Sequence, residues 1–178
     1  MIETFVKQAE EIRFKNTHNI TTPTQYTFTT PGTVSSNIKT KLDDPRLAPF
    51  RSNPTDAGAD LRSKESHMIA RNCTLLVDTG VALKIPVGYV GLVFPRSSMG
   101  KVRVTLANGT GVIDSDYRGN IKVLLANDGN DTFKIDAFDT RIAQIVIVPV
   151  MLATFVESNV DEWFDTDRGT GGFGSTGK

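Results

Sequence analysis

Residues 74–94 read TLLVDTGVALKIPVGYVGLVF, in which apolar runs at Thr74 to Val77, Val81 to Ile85 and Tyr89 to Phe94 are parted by Asp-Thr-Gly and Pro-Val-Gly. Each run is too short for a helix and rich in Val, Leu and Ile, and each gap carries residues that turn the chain. The stretch therefore predicts successive strands. The same rhythm returns at Ile121 to Leu125 and at Arg141 to Val150, with no long helical pattern between. Close-spaced strands without crossover helices argue for an all-β sandwich or barrel. Pro149 interrupts the last run, which suits an edge position or a point where the chain leaves its own sheet.

The β pattern occupies residues 36–157, and the flanks differ from it. In residues 1–35, Ile2, Phe5, Val6, Ala9 and Ile12 fall on one helical face with Lys7, Glu10 and Glu11 opposite, which predicts a short amphipathic helix. Residues 15–35, rich in Thr, Pro, Asn and Ser, read as a linker. Residues 158–178 hold Trp163 and Phe164 and then RGTGGFGSTGK, which has no apolar periodicity. Such a segment cannot form a core strand and must fold onto something else, so it reads as a C-terminal arm.

Composition narrows the function. The 178 residues carry 20 Lys and Arg against 20 Asp and Glu, and 39% are hydrophobic. That balance leaves no basic footprint for nucleic acid, so any polyanion must be held locally by a few arginines and backbone N–H groups. The single cysteine, Cys73, permits no intramolecular disulfide, and its apolar run predicts a buried thiol. No run approaches the ~18 apolar residues of a membrane span, and MIETFVKQAEEIRF does not read as a signal. A cytoplasmic protein is expected, in the host-cell cytoplasm if viral. In that setting the Asn-X-Thr sequons at Asn19, Asn72, Asn108 and Asn130 are chance.

Three segments carry polar groups with chemical potential. Gly172 to Lys178 satisfies most of a phosphate-cradling P-loop pattern, but a P-loop must follow a strand and open a helix. Gly111-Val-Ile-Asp-Ser-Asp-Tyr-Arg-Gly119 sets two carboxylates and a tyrosine beside a turn glycine, which alone could be an ordinary acidic hairpin. Phe94-Pro-Arg-Ser-Ser-Met-Gly100 could be no more than a capped turn. Together they supply a carboxylate for activating water, arginines and hydroxyls for phosphate oxygens, and a Gly-rich cradle. That set suits hydrolysis at phosphorus.

The ordered motifs resemble those of the trimeric dUTPase family. Ala57-Gly-Ala-Asp-Leu61 resembles the first, Pro95-Arg-Ser-Ser-Met-Gly100 the second and Asn108 through Gly119 the third. Arg141-Ile-Ala-Gln144 resembles the fourth and Arg168 through Thr176 the fifth. The resemblance implies a distorted β-barrel or jelly roll with a swapped C-terminal arm, assembled as a homotrimer whose sites lie at subunit junctions. It implies a diphosphatase that converts dUTP to dUMP and pyrophosphate with magnesium (Mg2+).

By the same resemblance Asp114 is the general base, and Asp60 steadies the metal's water shell or the base. Arg96, Ser97, Ser98, Gln144, Arg168, Ser175 and Thr176 are the implied phosphate contacts. Ser98 departs from the family's usual glycine, so its N–H is expected to serve while its side chain points elsewhere. Asn108, Gly111 and Ile113 are implied for the uracil edge, Tyr117 for the face of the deoxyribose and Phe173 for stacking on the base. Tyr117 read without that company is an ordinary core tyrosine. Two rivals remain: a regulatory binding protein on the same fold, and dCTP deaminase. The second would need a glutamate near position 124, where this chain has Leu124.

Overall fold

The structure is a computed structural model that describes residues 37–158, 166 and 169–171. The helix expected at residues 2–14, the 15–35 linker and most of the 158–178 arm lie outside the described residues. Eleven strands follow in order: β1 (Lys39–Leu42), β2 (Ala59–Arg62), β3 (His67–Ile69), β4 (Cys73–Asp78), β5 (Val81–Lys84), β6 (Tyr89–Phe94), β7 (Val104–Leu106), β8 (Gly111–Ile113), β9 (Lys122–Asn127), β10 (Phe133–Ile135) and β11 (Arg141–Pro149). Among the described residues the only α-helix is the short α1 (Ser97–Lys101). All five apolar runs of the sequence become strands. No helix among the described residues is long and apolar enough to cross a membrane.

The strands pair antiparallel in four groups, β2-β11-β6-β8, β4-β9-β7, β1-β5 and β10-β3. These sheets wrap one apolar core without closing into a single hydrogen-bonded barrel. Alternation decides which side chains enter that core. In the largest sheet Ala59, Leu61, Ala143, Ile145 and Val93 are buried. The cross-strand pairs Asp60–Gln144 and Gln144–Phe94 therefore face the other way. In β9 the buried Val123 and Leu125 alternate with less buried Leu124 and Ala126. Buried Asn127 is fully bonded: its amide donates to the carbonyls of Ile69 (2.8 Å) and Asp131 (2.9 Å), and its Oδ1 accepts from the Gly129 N–H (3.0 Å).

Two expectations need correction. Cys73 is exposed, not buried. Its parity along β4 matches Leu75 and core-facing Val77, but it is the first residue of the strand and lies past the edge of the core. The 111–122 segment is not a β-hairpin either, because β8 pairs with β6 whereas β9 pairs with β4 and β7. Asp114 to Asn120 instead carries the chain from one sheet to another. Pro149 behaves as expected: it ends β11 opposite Tyr89, and the next N–H, on Val150, closes onto the Gly88 carbonyl at 2.9 Å.

Candidate active site

Four of the five motif segments meet in one sheet. Asp60 on β2 lies opposite Gln144 on β11, and Gln144 lies opposite Phe94 at the end of β6, which leads into Arg96 and α1. On the far side of β6, Val93 pairs with Gly111 of β8. Motifs distant in the chain thus become neighbours across one sheet.

At the β2 end, Asp60 gathers two guanidinium groups. Arg96 Nε donates to Asp60 Oδ1 at 2.6 Å, and an Arg141 guanidinium nitrogen donates to Oδ2 at 3.0 Å. The carboxylate is mostly buried, with its side chain 14% exposed, so this is a desolvated arrangement in which charge-assisted bonds matter. Arg96 also donates to Ser98 Oγ at 3.1 Å. The Ser98 side chain therefore turns onto Arg96, and its N–H opens α1 beside that of Ser97, where a helix has no carbonyl of its own to pair them. Gln144 donates from its side-chain nitrogen to the Pro95 carbonyl at 3.0 Å. A Cβ at Gly58 would run into Gln144 Oε1, so the first motif needs glycine there for the fourth to fit.

Arg141 was not among the expected site residues, although it opens the fourth motif. Its spacing hid it. Residues three apart on a regular strand face opposite ways, so Arg141 and Gln144 should not share a face. Between them the β11–β2 register shifts, Arg141 pairing with Arg62 but Ala143 with Leu61. The extra residue of this bulge turns Arg141 onto the face that carries Asp60 and Gln144.

The third-motif residues occupy a different place. β8 is the edge of its sheet, so among the described residues it has no strand beyond it to take its outward N–H and C=O groups. Gly111 and Ile113 lie on this edge, and the Asn108 side chain donates to the Thr110 carbonyl at 3.4 Å just before it. Asp114 follows in a turn closed by the Tyr117 N–H on the Asp114 carbonyl at 3.2 Å and laced by Arg118, which donates to the carbonyls of Ser115 and Tyr117, both at 2.8 Å. The Asp114 side chain is exposed. Tyr117 is no core residue, being 41% exposed, with its hydroxyl on the Asn120 carbonyl at 2.8 Å.

One chain does not bring Asp114 to Arg96. Ile113 pairs with Gly91, three residues back along β6 from Phe94, so Asp114 lies on the order of 10 Å along the sheet from the Asp60–Gln144–Phe94 row. Arg168, Phe173, Ser175 and Thr176 lie outside the described residues. No three His, Cys, Asp or Glu side chains cluster as a metal cage among the described residues. Asp60, with one guanidinium on each oxygen, retains lone pairs that suit water better than direct ligation. That fits an ion that keeps its hydration shell.

The family model for dUTPase matches residues 45–177. The chain belongs to the dUTPase family. It is 44% identical over 147 residues to the deoxyuridine 5'-triphosphate nucleotidohydrolase of Escherichia phage T5, covering 79% of this chain and 98% of that one. It is 47% identical over 139 residues to that of Nautilia profundicola, covering 78% and 96%. Among solved structures it resembles the Staphylococcus bacteriophage 80alpha dUTPase with dUPNHPP, at TM-score 0.72 and 28% identity over 81% of this chain and all of that one. A mutant of the dUTPase from phage phi11 of S. aureus, whose structure reveals the coordination of a structural Mg(II) ion, aligns at TM-score 0.63 and 26% identity over 68% of this chain and 96% of that one. Within this family Leu124 fits: it lies in β9 opposite Leu76 and has no proton to move, unlike the glutamate that deamination would need.

Proposed function

We infer that this dUTPase-family chain hydrolyses dUTP to dUMP and pyrophosphate at sites shared among three copies. The observation that carries this reading is the assembly of the first four motifs along one sheet of a family member, with Asp60, Arg96, Arg141 and Gln144 on a common face. In the proposed reaction Asp114 takes a proton from water as its oxygen attacks the α-phosphorus. The bond from that phosphorus to the bridging oxygen breaks, and pyrophosphate leaves. Water is a weak nucleophile at neutral pH, so an exposed carboxylate in a closed turn contributes by orienting it and accepting its proton.

Arg96, Ser97, Ser98 and Gln144 are assigned to the phosphates, joined by Arg168, Ser175 and Thr176 from the arm. Arginine suits this role because its planar fork meets two phosphate oxygens at once. Backbone groups of Gly111 and Ile113 on the free edge of β8, with Asn108, are assigned to the uracil edge, Tyr117 to the deoxyribose and Phe173 to the base face. When bound, Mg2+ offsets the charge of the triphosphate. Asp60 is the residue whose oxygens would steady its water shell.

Sharing among subunits is supported by two features of the single chain. Asp114 stands apart from the Arg96 row, and the segment after β11 leaves Met151, Leu152, Phe155 and Val156 exposed, Phe155 to 96%. An apolar strip of that kind calls for a neighbour. Residues 36–157 would form the β domain, 1–35 an extension and 158–178 the arm that closes a neighbouring site. The direct test is pyrophosphate release from dUTP, dCTP, dTTP and UTP by the purified protein. Turnover confined to dUTP is expected, and equal turnover of dCTP would refute the assignment of the uracil edge.

A further inference from the structure

The connection from Asp114 to Asn120 is largely exposed, yet its last member is fastened. Asn120, half-buried, uses one side-chain nitrogen for two carboxylates, donating to Asp43 Oδ2 at 2.8 Å and reaching Asp78 Oδ2 at 3.4 Å. Lys64 Nζ stands 3.0 Å from Asp78 Oδ2 and 3.4 Å from Asp43 Oδ2, so the two acids meet a cation as well as the amide. Asp78 is itself fixed, its Oδ1 accepting from the Gly80 N–H at 2.7 Å. Residues far apart in the chain thus converge on the end of the turn.

What they hold reaches Tyr117. Its hydroxyl donates to the backbone carbonyl of Asn120 at 2.8 Å, and the ring passes so close to Gly119 that a Cβ there would sit 2.6 Å from the hydroxyl oxygen. An exposed tyrosine on a turn has two side-chain torsions to lose and little packing to set them. Rejecting one extra hydroxyl on a sugar requires a surface that does not yield. Among the described residues the Tyr117 hydroxyl bonds to Asn120, and Asn120 is set by acids outside the turn.

We propose that Asn120, clamped by Asp43, Asp78 and Lys64, is a positioning residue that fixes the Tyr117 ring and thereby sets discrimination between deoxyribose and ribose triphosphates. The proposal rests on the assignment of Tyr117 to the sugar. It predicts that the cluster acts on the ratio of two substrates, not on turnover as such.

The test is kcat/KM for dUTP and for UTP in the full-length protein and its variants. Asn120→Asp keeps the size but turns the donor into a third carboxylate, and Asp43→Ala removes the nearer acceptor from outside the turn. Each should lower the dUTP-to-UTP ratio about tenfold, the scale of one charge-assisted bond, chiefly by a gain on UTP. A chain that was merely destabilised would lose both substrates in proportion and keep its ratio. Tyr117→Phe, which lacks the hydroxyl, should lower the ratio similarly, and combining it with Asn120→Asp should add little. If Tyr117→Ala lowers the ratio while Asn120→Asp and Asp43→Ala keep it, the clamp is overturned and the sugar assignment stands. If Tyr117→Ala also keeps it, the assignment of Tyr117 fails and the proposal falls with it.

Discussion

Arg96 Nε lies 2.6 Å from Asp60 Oδ1, and Arg141 holds the other oxygen of the same carboxylate at 3.0 Å. Arg96 is therefore aimed by an acid on a neighbouring part of the sheet, and that acid is oriented by a residue of the fourth motif. Removing Arg141 should disturb Arg96 without touching it. Arg141→Met is expected to lower kcat/KM for dUTP about tenfold or more, since bonds to charged groups are worth roughly 1.5–3 kcal/mol. Arg141→Lys should recover part of the loss. Steady-state kinetics of the two variants check this, and an unchanged Arg141→Met would show that Arg96 needs no such support.

Asp114→Asn should keep the fold and nucleotide binding while turnover falls by ~10²–10⁴, the usual share of a general base. The amide is nearly isosteric but cannot take the water's proton. Calorimetric titration with a non-hydrolysable dUTP analogue, beside turnover, separates binding from chemistry. Retention of most of the activity would mean that another group is the base.

Gly58→Ala should reduce activity although residue 58 itself carries no functional group. The new methyl group would occupy the place of Gln144 Oε1 and push that side chain off the Pro95 carbonyl. A loss of about tenfold is expected, from one misplaced polar contact of a residue assigned to the phosphates. The melting temperature should move little, because the obstructing atom ends a side chain on the outward face of the sheet. A crystal structure of the variant would show whether Gln144 has moved.

Truncation after Asp167 should abolish turnover in a chain that still folds, because Arg168, Phe173, Ser175 and Thr176 would be lost together. Mixing the truncated chain with Asp114→Asn, each inactive alone, and exchanging subunits after brief denaturation should restore activity. Recovery requires a site that draws its base and its arm from different chains. Mixed assemblies without recovery would show that each chain completes its own site.

Acid should loosen the Asp43–Lys64–Asp78–Asn120 cluster. Burial pushes the Asp78 carboxyl up, but the Gly80 N–H, the Lys64 ammonium and the Asn120 amide outweigh it and hold the group below its ordinary value. A depressed carboxyl contributes stability that is fully present above the unfolded value of about 3.9 and is lost as pH falls through the folded one. Lys64, raised chiefly by its bond to Asp78, contributes fully below its unfolded value of about 10.4 and loses that as pH rises through the folded one. Melting curves between these limits should therefore be nearly flat in this contribution. Asp78→Asn should weaken the acid limb, and an acid limb identical to the parent's would remove Asp78 from the account.

The strands β4, β5, β6, β9 and β11 were legible because β-branched and leucine runs between Gly, Pro and Asp need no distant partner to be recognised, whereas short strands such as β1, β3 and β10 carry no such run. The motif residues Asp60, Arg96, Gln144 and Asp114 were legible through the resemblance of the ordered motifs to the family, which lies in residue identity and order along the chain and needs no knowledge of the fold. Partnership was not. Cys73 has the parity of a core residue and is exposed because a strand can outrun its core, and a linear pattern does not mark where the core ends. The segment after Ile113 looked like a hairpin, yet β8 and β9 join different sheets, since pairing is chosen by the whole set of strands.

Arg141 shows most clearly what the sequence by itself determined and what only tertiary structure decided. The sequence determined that this residue opens a strand and carries a permanent positive charge. On a regular strand a spacing of three from Gln144 would put the two on opposite faces. The bulge against β2 inserts one unpaired residue and reverses that parity, bringing Arg141 to Asp60. A bulge arises from the fit between two strands whose residues lie some eighty positions apart, here Asp60 and Arg141. Local propensity contains no record of that fit, so the face on which Arg141 works is a property of the pair of strands and not of either one.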